Sequence, residues 1–201
     1  MIRAVIFDFG NVLCRFNNRR MVENLAPYSE LSLEELGERI LAPSELGRRY
    51  EAGLISSDVF FRGAVESCRL KITRQEFVRA FCDIFTPLPE TQDLVKRLHG
   101  RVKLGLLSNT SEWHYLHAIR STEVFPLFDA VTASFEVKAL KPDPAVYRDV
   151  VGKLGCPPGE CFYTDDILPF VEAARGLGLS AAPFTTPEAL EGELLRRGIV
   201  F

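Results

Sequence analysis

The chain has 201 residues, of which 24 are basic and 27 acidic, so its formal net charge at pH 7 is −3. This length suits one domain or a core with a small second unit, and the charge lacks the basic excess of a nucleic-acid-binding surface. No apolar stretch reaches the length of a membrane span, and five scattered cysteines predict a reduced, cytoplasmic protein rather than a disulfide framework.

The first predicted element is a buried strand at residues 2–7, which runs directly into the polar sequence DFGN. The segment 15–86 then has the pattern of several short helices. They are predicted at roughly 19–27, 33–41, 44–52, 57–69 and 74–85 from capping residues and from aromatic side chains at helical spacing. Because this insert is too long for a normal crossover between strands, we expect it to form a small helical layer over the sheet.

Beyond residue 86 the pattern alternates between strands and helices. Buried strands are predicted at 102–107, 128–133, 160–164 and 179–184, and helices at 88–100, 143–155 and 185–198. The last two helices begin with a capping residue followed by proline. This alternation predicts a parallel sheet that is covered by helices on both faces.

Polar side chains follow four of the five predicted strands. In chain order they are Asp8, Ser108 with Asn109, Lys141, and Asp165 with Asp166. Each alone is typical of a turn, a helix cap or a solvated loop. Ligands of an open parallel sheet bind beyond the carboxyl ends of its strands, where the strand order reverses. The combination therefore predicts a binding site with two carboxylate clusters, a hydroxyl group and a lysine.

The order of these motifs resembles the haloacid dehalogenase-like hydrolase superfamily. FDFGNVL (7–13) is similar to its first motif, LLSNT (106–110) to its second, LKPDP (140–144) to its third and YTDDI (163–167) to its fourth. The helical insert lies where one large branch of the family carries a helical cap. The form DFGNVL resembles a bacterial phosphatase subgroup that acts on sugar phosphates such as α-D-glucose 1-phosphate.

The resemblance implies an α/β fold with a Rossmann-like parallel sheet of five strands in the order 5-4-1-2-3. Residues 1–14 and 87–201 would form the core domain, and residues 15–86 the cap domain. The order places the first and fourth strands side by side, and with them Asp8 and Asp165.

The resemblance also implies a Mg²⁺-dependent phosphatase of small phosphorylated metabolites. Asp8 would be the nucleophile that forms an aspartyl-phosphate, and Ser108 and Lys141 the other catalytic residues. The residues that bind the phosphoryl group would be Phe9, Gly10, Ser108, Asn109 and Lys141. The ligands of Mg²⁺ would be Asp8, Asp165, Asp166 and the main-chain carbonyl group of Gly10. Because Asp165 directly follows the strand, we expect it to bind the metal more strongly than Asp166 does.

Two positions depart from the family's pattern. Gly10 stands where its phosphatases usually carry a second Asp, which protonates the leaving oxygen and later activates water. General acid–base catalysis contributes roughly 10²–10⁴ in rate, so we expect a slow enzyme or a good leaving group, such as that of a sugar 1-phosphate. Pro169 replaces a further acid, whose charge Asp166 could supply. His114 could donate the missing proton or could be a packed histidine.

Two other functions stay open. 2-Haloacid dehalogenases also lack the second Asp and need no metal, but they usually carry a Tyr at that position. Gly10 and the acidic motif TDDI therefore favour a phosphatase. A member that has lost these acids could instead bind a phosphorylated ligand or a partner without turnover.

Overall fold

The computed structural model describes residues 1–41 and 45–200, so the predicted start of one helix at residue 44 lies outside the described residues. Numbered along the chain, the strands are β1 (Ala4–Phe7), β2 (Cys14–Phe16), β3 (Phe85–Pro87), β4 (Lys103–Ser108), β5 (Ala130–Ala133), β6 (Cys161–Asp165) and β7 (Ser180–Pro183). The helices of the insert are α1 (Asn18–Leu25), α2 (Leu33–Leu41), α3 (Glu45–Glu51), α4 (Ser57–Ser67) and α5 (Arg74–Cys82).

The remaining helices lie among the strands of the main sheet. They are α6 (Pro89–Leu98), α7 (Glu112–His114), which continues as a π-helical segment (Tyr115–Ile119), α8 (Ser134–Val137), α9 (Pro144–Leu154), α10 (Leu168–Gly176) and α11 (Pro187–Arg196). The predicted caps are present, because the side chain of Asp143 accepts from the amide of Ala145, and that of Thr186 from the amide of Ala189. No helix in the described part of the chain is long and apolar enough to cross a membrane.

The main sheet has five parallel strands in the order β5-β4-β1-β6-β7. Numbered one to five along the chain, these strands have the order 3-2-1-4-5. This is the predicted order 5-4-1-2-3 read in the opposite direction across the sheet. All five predicted strands are present with ends within two residues of the predicted ones. The predicted α/β fold class and sheet are thus confirmed.

The two faces of the sheet carry separate hydrophobic clusters. Along β1, Val5 and Phe7 pack on one face with apolar side chains of α6 and α11, whereas Ala4 and Ile6 pack on the other with α9 and α10. Alternate residues of a strand point to opposite faces, and all four residues of β1 are fully buried. Because helices cover both faces, a ligand can reach the sheet at the carboxyl ends of its strands. This row of strand ends is called the sheet edge below.

The helices of the insert pack around a third hydrophobic cluster, which includes Leu25, Leu36, Phe60 and Phe77. Trp113, which follows β4 in the main sheet, inserts its ring into this cluster. The antiparallel pair β2–β3 connects the insert to the sheet. This pair was not predicted, because its strands are three residues long and far apart in sequence, so neither shows a periodic pattern.

Candidate active site

Three of the predicted site residues meet at the carboxyl ends of neighbouring strands. Asp8 directly follows β1, Ser108 is the last residue of β4, and Asp165 is the last residue of β6. β1 pairs with β4 on one side and with β6 on the other. The sheet order therefore places these side chains next to each other although they are far apart in sequence. Lys141 reaches the same place from the loop before α9.

Lys141 forms the electrostatic centre of the site. Its Nζ lies 2.7 Å from Oδ1 of Asp8 and 2.6 Å from Oδ2 of Asp165, and all three side chains are almost completely buried. Burial lowers the pKa of Lys141, but the two carboxylates outweigh it and raise that pKa above its ordinary value. Lys141 is thus a permanent cation between two buried acids.

The carboxyl group of Asp8 lies in an unfavourable environment for a negative charge. Burial raises its pKa, the charge of Lys141 lowers it, and the charge of Asp165 raises it again, so that the pKa stays above its ordinary value. An ionised Asp8 therefore depends on nearby positive charge, and Lys141 provides one part of it.

Asp8, Asp165 and Asp166 bring three carboxylate oxygens to within 4.8 Å of one another. These carboxylates differ in the hydrogen bonds that they already accept. Oδ2 of Asp165 accepts from Lys141 and from the hydroxyl group of Tyr163, and Oδ1 accepts from the amide of Ile167 at 2.8 Å. Asp166 is partly exposed, and one of its oxygens accepts from the side chain of Asn11. Oδ1 of Asp166 therefore has no hydrogen-bond partner among the described residues, whereas both oxygens of Asp165 accept hydrogen bonds. The expected order of the two as metal ligands stays a prediction.

The residues that were predicted to bind the phosphoryl group divide into two kinds. Ser108 is buried and has only a weak contact, 3.5 Å, to the carbonyl oxygen of Asn109, so its hydroxyl group can donate to a ligand. Asn109 instead accepts from the amide of Lys141 at 2.8 Å and donates to its carbonyl oxygen. Asn109 holds Lys141 in place with its side chain. The ring of Phe9 is buried against Phe85, which leaves only its main chain for a ligand.

The space beside Gly10 is partly filled by an aromatic ring. A Cβ atom at this position would lie 3.2 Å from Cε1 of Phe16 and 3.9 Å from Oδ2 of Asp8. Phe16 belongs to β2 and is 42% exposed. The backbone of Gly10 is not left-handed, so the crowding comes from Phe16 and not from the main chain.

His114 is a packed histidine, the second of the two roles that the sequence left open. Its ring stacks on Phe81 with centroids 4.2 Å apart, and Nε2 lies 3.2 Å from the carbonyl oxygen of Phe81. Burial lowers its pKa to about 4. His114 is therefore neutral near pH 7 and has its ring nitrogen engaged.

A cavity of about 410 Å³ lies between the helical insert and the edge of the sheet. The insert contributes Tyr50 and Glu51 to its lining, and the sheet edge contributes Asn109 and Lys141. Glu51 is an exposed residue overall, but protein atoms around its carboxyl group bury that group enough to raise its pKa to about 7. The cavity can hold the part of a ligand that extends away from Asp8.

Sequence reasoning missed three residues of the site. Tyr163 precedes Asp165 by two positions in β6, and the two-residue period of a strand could have placed both side chains on one face. Asn11 donates to Asp166 at 2.9 Å, and Phe16 crowds Gly10. The last two contacts join residues of different elements, and no local pattern indicates them.

The four motifs that predicted this site also agree with comparisons to known proteins. A family model described as haloacid dehalogenase-like hydrolase matches residues 2–178. The chain belongs to the haloacid dehalogenase-like hydrolases. This confirms the predicted family and the prediction of an enzyme, while the narrower phosphatase subgroup stays a prediction.

Three relatives illustrate the range of this family. The chain is 28% identical over 200 residues to drimenol cyclase drtB of Aspergillus calidoustus, and the match covers 96% of this chain but only 36% of that longer protein. It is 25% identical over 185 residues to a phosphorylated carbohydrates phosphatase of Thermotoga maritima, which covers 89% and 82% of the two chains. The crystal structure of a family enzyme from Bacteroides thetaiotaomicron, in complex with magnesium and inorganic phosphate, shares the fold with a TM-score of 0.82, 24% identity and coverage of 92% and 95%.

Proposed function

We propose that this enzyme is a Mg²⁺-dependent phosphatase that hydrolyses a small sugar phosphate through an aspartyl-phosphate at Asp8. The observation that carries the proposal is the position of Asp8, a buried carboxylate that pairs with Lys141 and lies within 4.8 Å of two further carboxylates. A phosphorylated carbohydrates phosphatase among the relatives supports the substrate class. A neighbour of the same fold in complex with magnesium and inorganic phosphate supports the use of the metal.

The residues at the sheet edge can carry out both halves of such a reaction. An oxygen of Asp8 attacks phosphorus, and the bond between phosphorus and the leaving oxygen breaks. Water then attacks the phosphorus of the aspartyl-phosphate, which releases phosphate and restores the carboxylate. Lys141 offsets negative charge in both steps, and Ser108 with nearby main-chain amides donates to the phosphoryl oxygens. With Gly10 in place of an acid, the leaving oxygen takes its proton from solvent.

The residues present fit Mg²⁺. The donor set consists of oxygen atoms, which this hard cation prefers, and three carboxylate oxygens lie within 4.8 Å of one another at the carboxyl ends of the strands. We propose Asp8, Asp166 and the main-chain carbonyl group of Gly10 as ligands, with Asp165 orienting Lys141 beside them. Bound there, the ion would neutralise phosphoryl oxygens that otherwise repel Asp8.

The helical insert is proposed to act as the cap domain. Residues 15–86 contribute one wall of the cavity. The core, which consists of residues 1–14 and 87–201, contributes the other wall. Substrate specificity would then depend on side chains such as Glu51, which line the same cavity as Lys141. A cavity of this size suits a small phosphorylated metabolite.

Two parallel assays separate the proposed function from the alternatives. The account expects Mg²⁺-dependent hydrolysis of p-nitrophenyl phosphate, abolished by EDTA, and no release of chloride from 2-chloropropionate. Chloride release without metal would make the protein a dehalogenase. If neither substrate is turned over while a phosphorylated sugar still binds, the protein is a binding member of the family.

Asp166→Ala is expected to raise the Mg²⁺ concentration for half-maximal activity more than Asp165→Ala does, by at least about tenfold. Asp166 has one oxygen without a hydrogen-bond partner among the described residues, whereas both oxygens of Asp165 accept, from Lys141, Tyr163 and a main-chain amide. Asp165→Ala should instead lower kcat and stability, because it leaves Lys141 short of a partner. Titrations of activity with Mg²⁺ in both variants make the comparison, and a larger shift in Asp165→Ala would make Asp165 the stronger ligand, as expected from the sequence.

The wild-type rate is expected to fall steeply as the leaving group becomes more basic. Aryl phosphates should be turned over fastest, anomeric sugar phosphates more slowly and primary sugar phosphates slowest, because no acid stands at Gly10. Gly10→Asp should flatten this dependence and speed up alkyl phosphates by roughly tenfold or more. The measurement is kcat/KM across a series of phosphate esters.

Phe16 supplies the matched control for Gly10→Asp. Because a Cβ atom at position 10 would lie 3.2 Å from the ring of Phe16, the double variant Gly10→Asp with Phe16→Ala should show the larger gain, and Phe16→Ala alone should show none. A wild type that is insensitive to leaving-group basicity would mean that another acid acts, and Glu51 would be the next residue to replace.

A further inference from the structure

Asn11 connects the first and fourth motifs at the metal end of the site. Its Nδ2 donates to Oδ2 of Asp166 at 2.9 Å, across 155 positions of sequence. The main-chain amide of Asn11 also donates to the carbonyl oxygen of Cys14 at 2.7 Å, which fixes the turn that follows Asp8. The side chain and the main chain of Asn11 therefore have separate partners.

The backbone of Asn11 is left-handed, with φ of 54°. Glycine adopts this conformation most easily, and asparagine is among the few other residues that tolerate it. Glycine would therefore serve the turn at least as well as asparagine does. The turn alone does not explain why position 11 carries an amide.

Asp166 is the carboxylate of the acidic cluster that most needs an external constraint. Asp165 is buried and accepts three hydrogen bonds, and Asp8 is buried beside Lys141. Asp166 is partly exposed, and among the described residues the side-chain amide of Asn11 is the side-chain group that donates to it. Without Asn11 its carboxylate would lose the side-chain hydrogen bond that fixes its orientation.

We propose that Asn11 is a positioning residue that holds the carboxylate of Asp166 toward Asp8 and thereby raises the affinity of the site for a divalent cation. This role rests on the proposed function, because it requires that Asp8 and Asp166 bind Mg²⁺. A hydrogen bond to one carboxylate oxygen fixes the carboxylate plane and leaves the other oxygen to the ion. Partners of this kind typically contribute 10–100-fold to metal affinity.

Two substitutions separate the effect of losing the side-chain amide of Asn11 from the effect of disturbing the turn. Asn11→Gly keeps the left-handed backbone and removes the amide, whereas Asn11→Ala removes the amide and adds backbone strain. We expect both variants to bind Mg²⁺ roughly 10–100-fold more weakly than the wild type. Stability should separate them, because Asn11→Ala should unfold at a lower denaturant concentration than Asn11→Gly does. Calorimetric titration of the full chain with Mg²⁺, without substrate, measures affinity, and denaturant unfolding in EDTA measures stability.

Two further variants serve as controls. Arg69 also has a left-handed backbone, with φ of 48°, and it lies in the helical insert, so Arg69→Gly should leave Mg²⁺ affinity unchanged. In an Asp166→Ala background, Asn11→Gly should cause no further loss of affinity, because its partner is already gone. Equal Mg²⁺ affinity in Asn11→Gly and the wild type would overturn the role of Asn11 and leave the proposed function standing. A wild type that binds no Mg²⁺ would overturn both.

Discussion

Asp8→Asn is expected to abolish phosphate hydrolysis, with a fall in rate of at least about 10⁴-fold, while the fold stays intact. The amide keeps the shape of the carboxylate but cannot attack phosphorus, and loss of a covalent nucleophile has effects of this size or larger. Steady-state kinetics with p-nitrophenyl phosphate and Mg²⁺ measures the change.

Stability should not fall in the same variant at neutral pH. Burial holds the pKa of Asp8 above its ordinary value, so the ionised carboxylate destabilises the folded chain above the pKa of the unfolded one. A neutral amide removes this effect. Asp93→Asn, an exposed change on α6, is the matched control and should keep full activity. Because the introduced amide could deamidate back to aspartate, Asp8→Ala should be assayed beside it. Wild-type rates in both variants would show that Asp8 is not the nucleophile.

Lys141→Met is expected to have the second largest effect, on both activity and stability. It removes the cation that contacts Asp8 at 2.7 Å and Asp165 at 2.6 Å and leaves two buried carboxylates facing each other. Loss of one partner from a buried charge cluster costs about 3–5 kcal/mol, and loss of the charge on the transferring group should lower kcat by roughly 10³-fold. Lys153→Met on α9, whose ion pair with Asp149 is partly exposed, should cost less than about 1 kcal/mol.

The stability loss in Lys141→Met should depend on pH. Without the lysine charge, the pKa of Asp8 in the folded chain rises further above its value in the unfolded chain. A carboxyl group whose pKa is raised in the folded chain does not oppose folding at low pH, where it is protonated. Stability is lost as the pH rises and the group ionises in the unfolded chain more readily than in the folded one. Denaturant unfolding in EDTA should therefore show a larger difference from the wild type at pH 8 than at pH 5. Equal differences at both pH values would contradict the buried charge cluster.

The sheet and most of its edge could be predicted from the sequence because the signals are local. Short apolar runs that end in polar residues marked β1, β4 and β6, and strand order then placed Asp8, Ser108 and Asp165 together. Capping residues such as Thr186 marked helix starts. These features depend on neighbours in the chain and on the general behaviour of parallel sheets.

The roles of the individual side chains depend on contacts that the sequence does not show. Asp165 and Asp166 are adjacent, yet Asp165 is buried against Lys141, whereas Asp166 is partly exposed. Asn11 reaches its partner across most of the chain, and Phe16 approaches Gly10 through the unpredicted β2–β3 pair. Tertiary packing, and not propensity, determines each of these contacts.

The most direct test of the central claim is to identify the residue that becomes phosphorylated during turnover. The enzyme is mixed with Mg²⁺ and a phosphate ester, quenched in acid within one turnover, digested and analysed by mass spectrometry. We expect a base-labile acyl phosphate on the peptide that contains Asp8, formed and lost at rates that account for kcat, and absent from Asp8→Asn. Turnover without a phosphate on Asp8, or with a phosphate on another residue, would contradict the account.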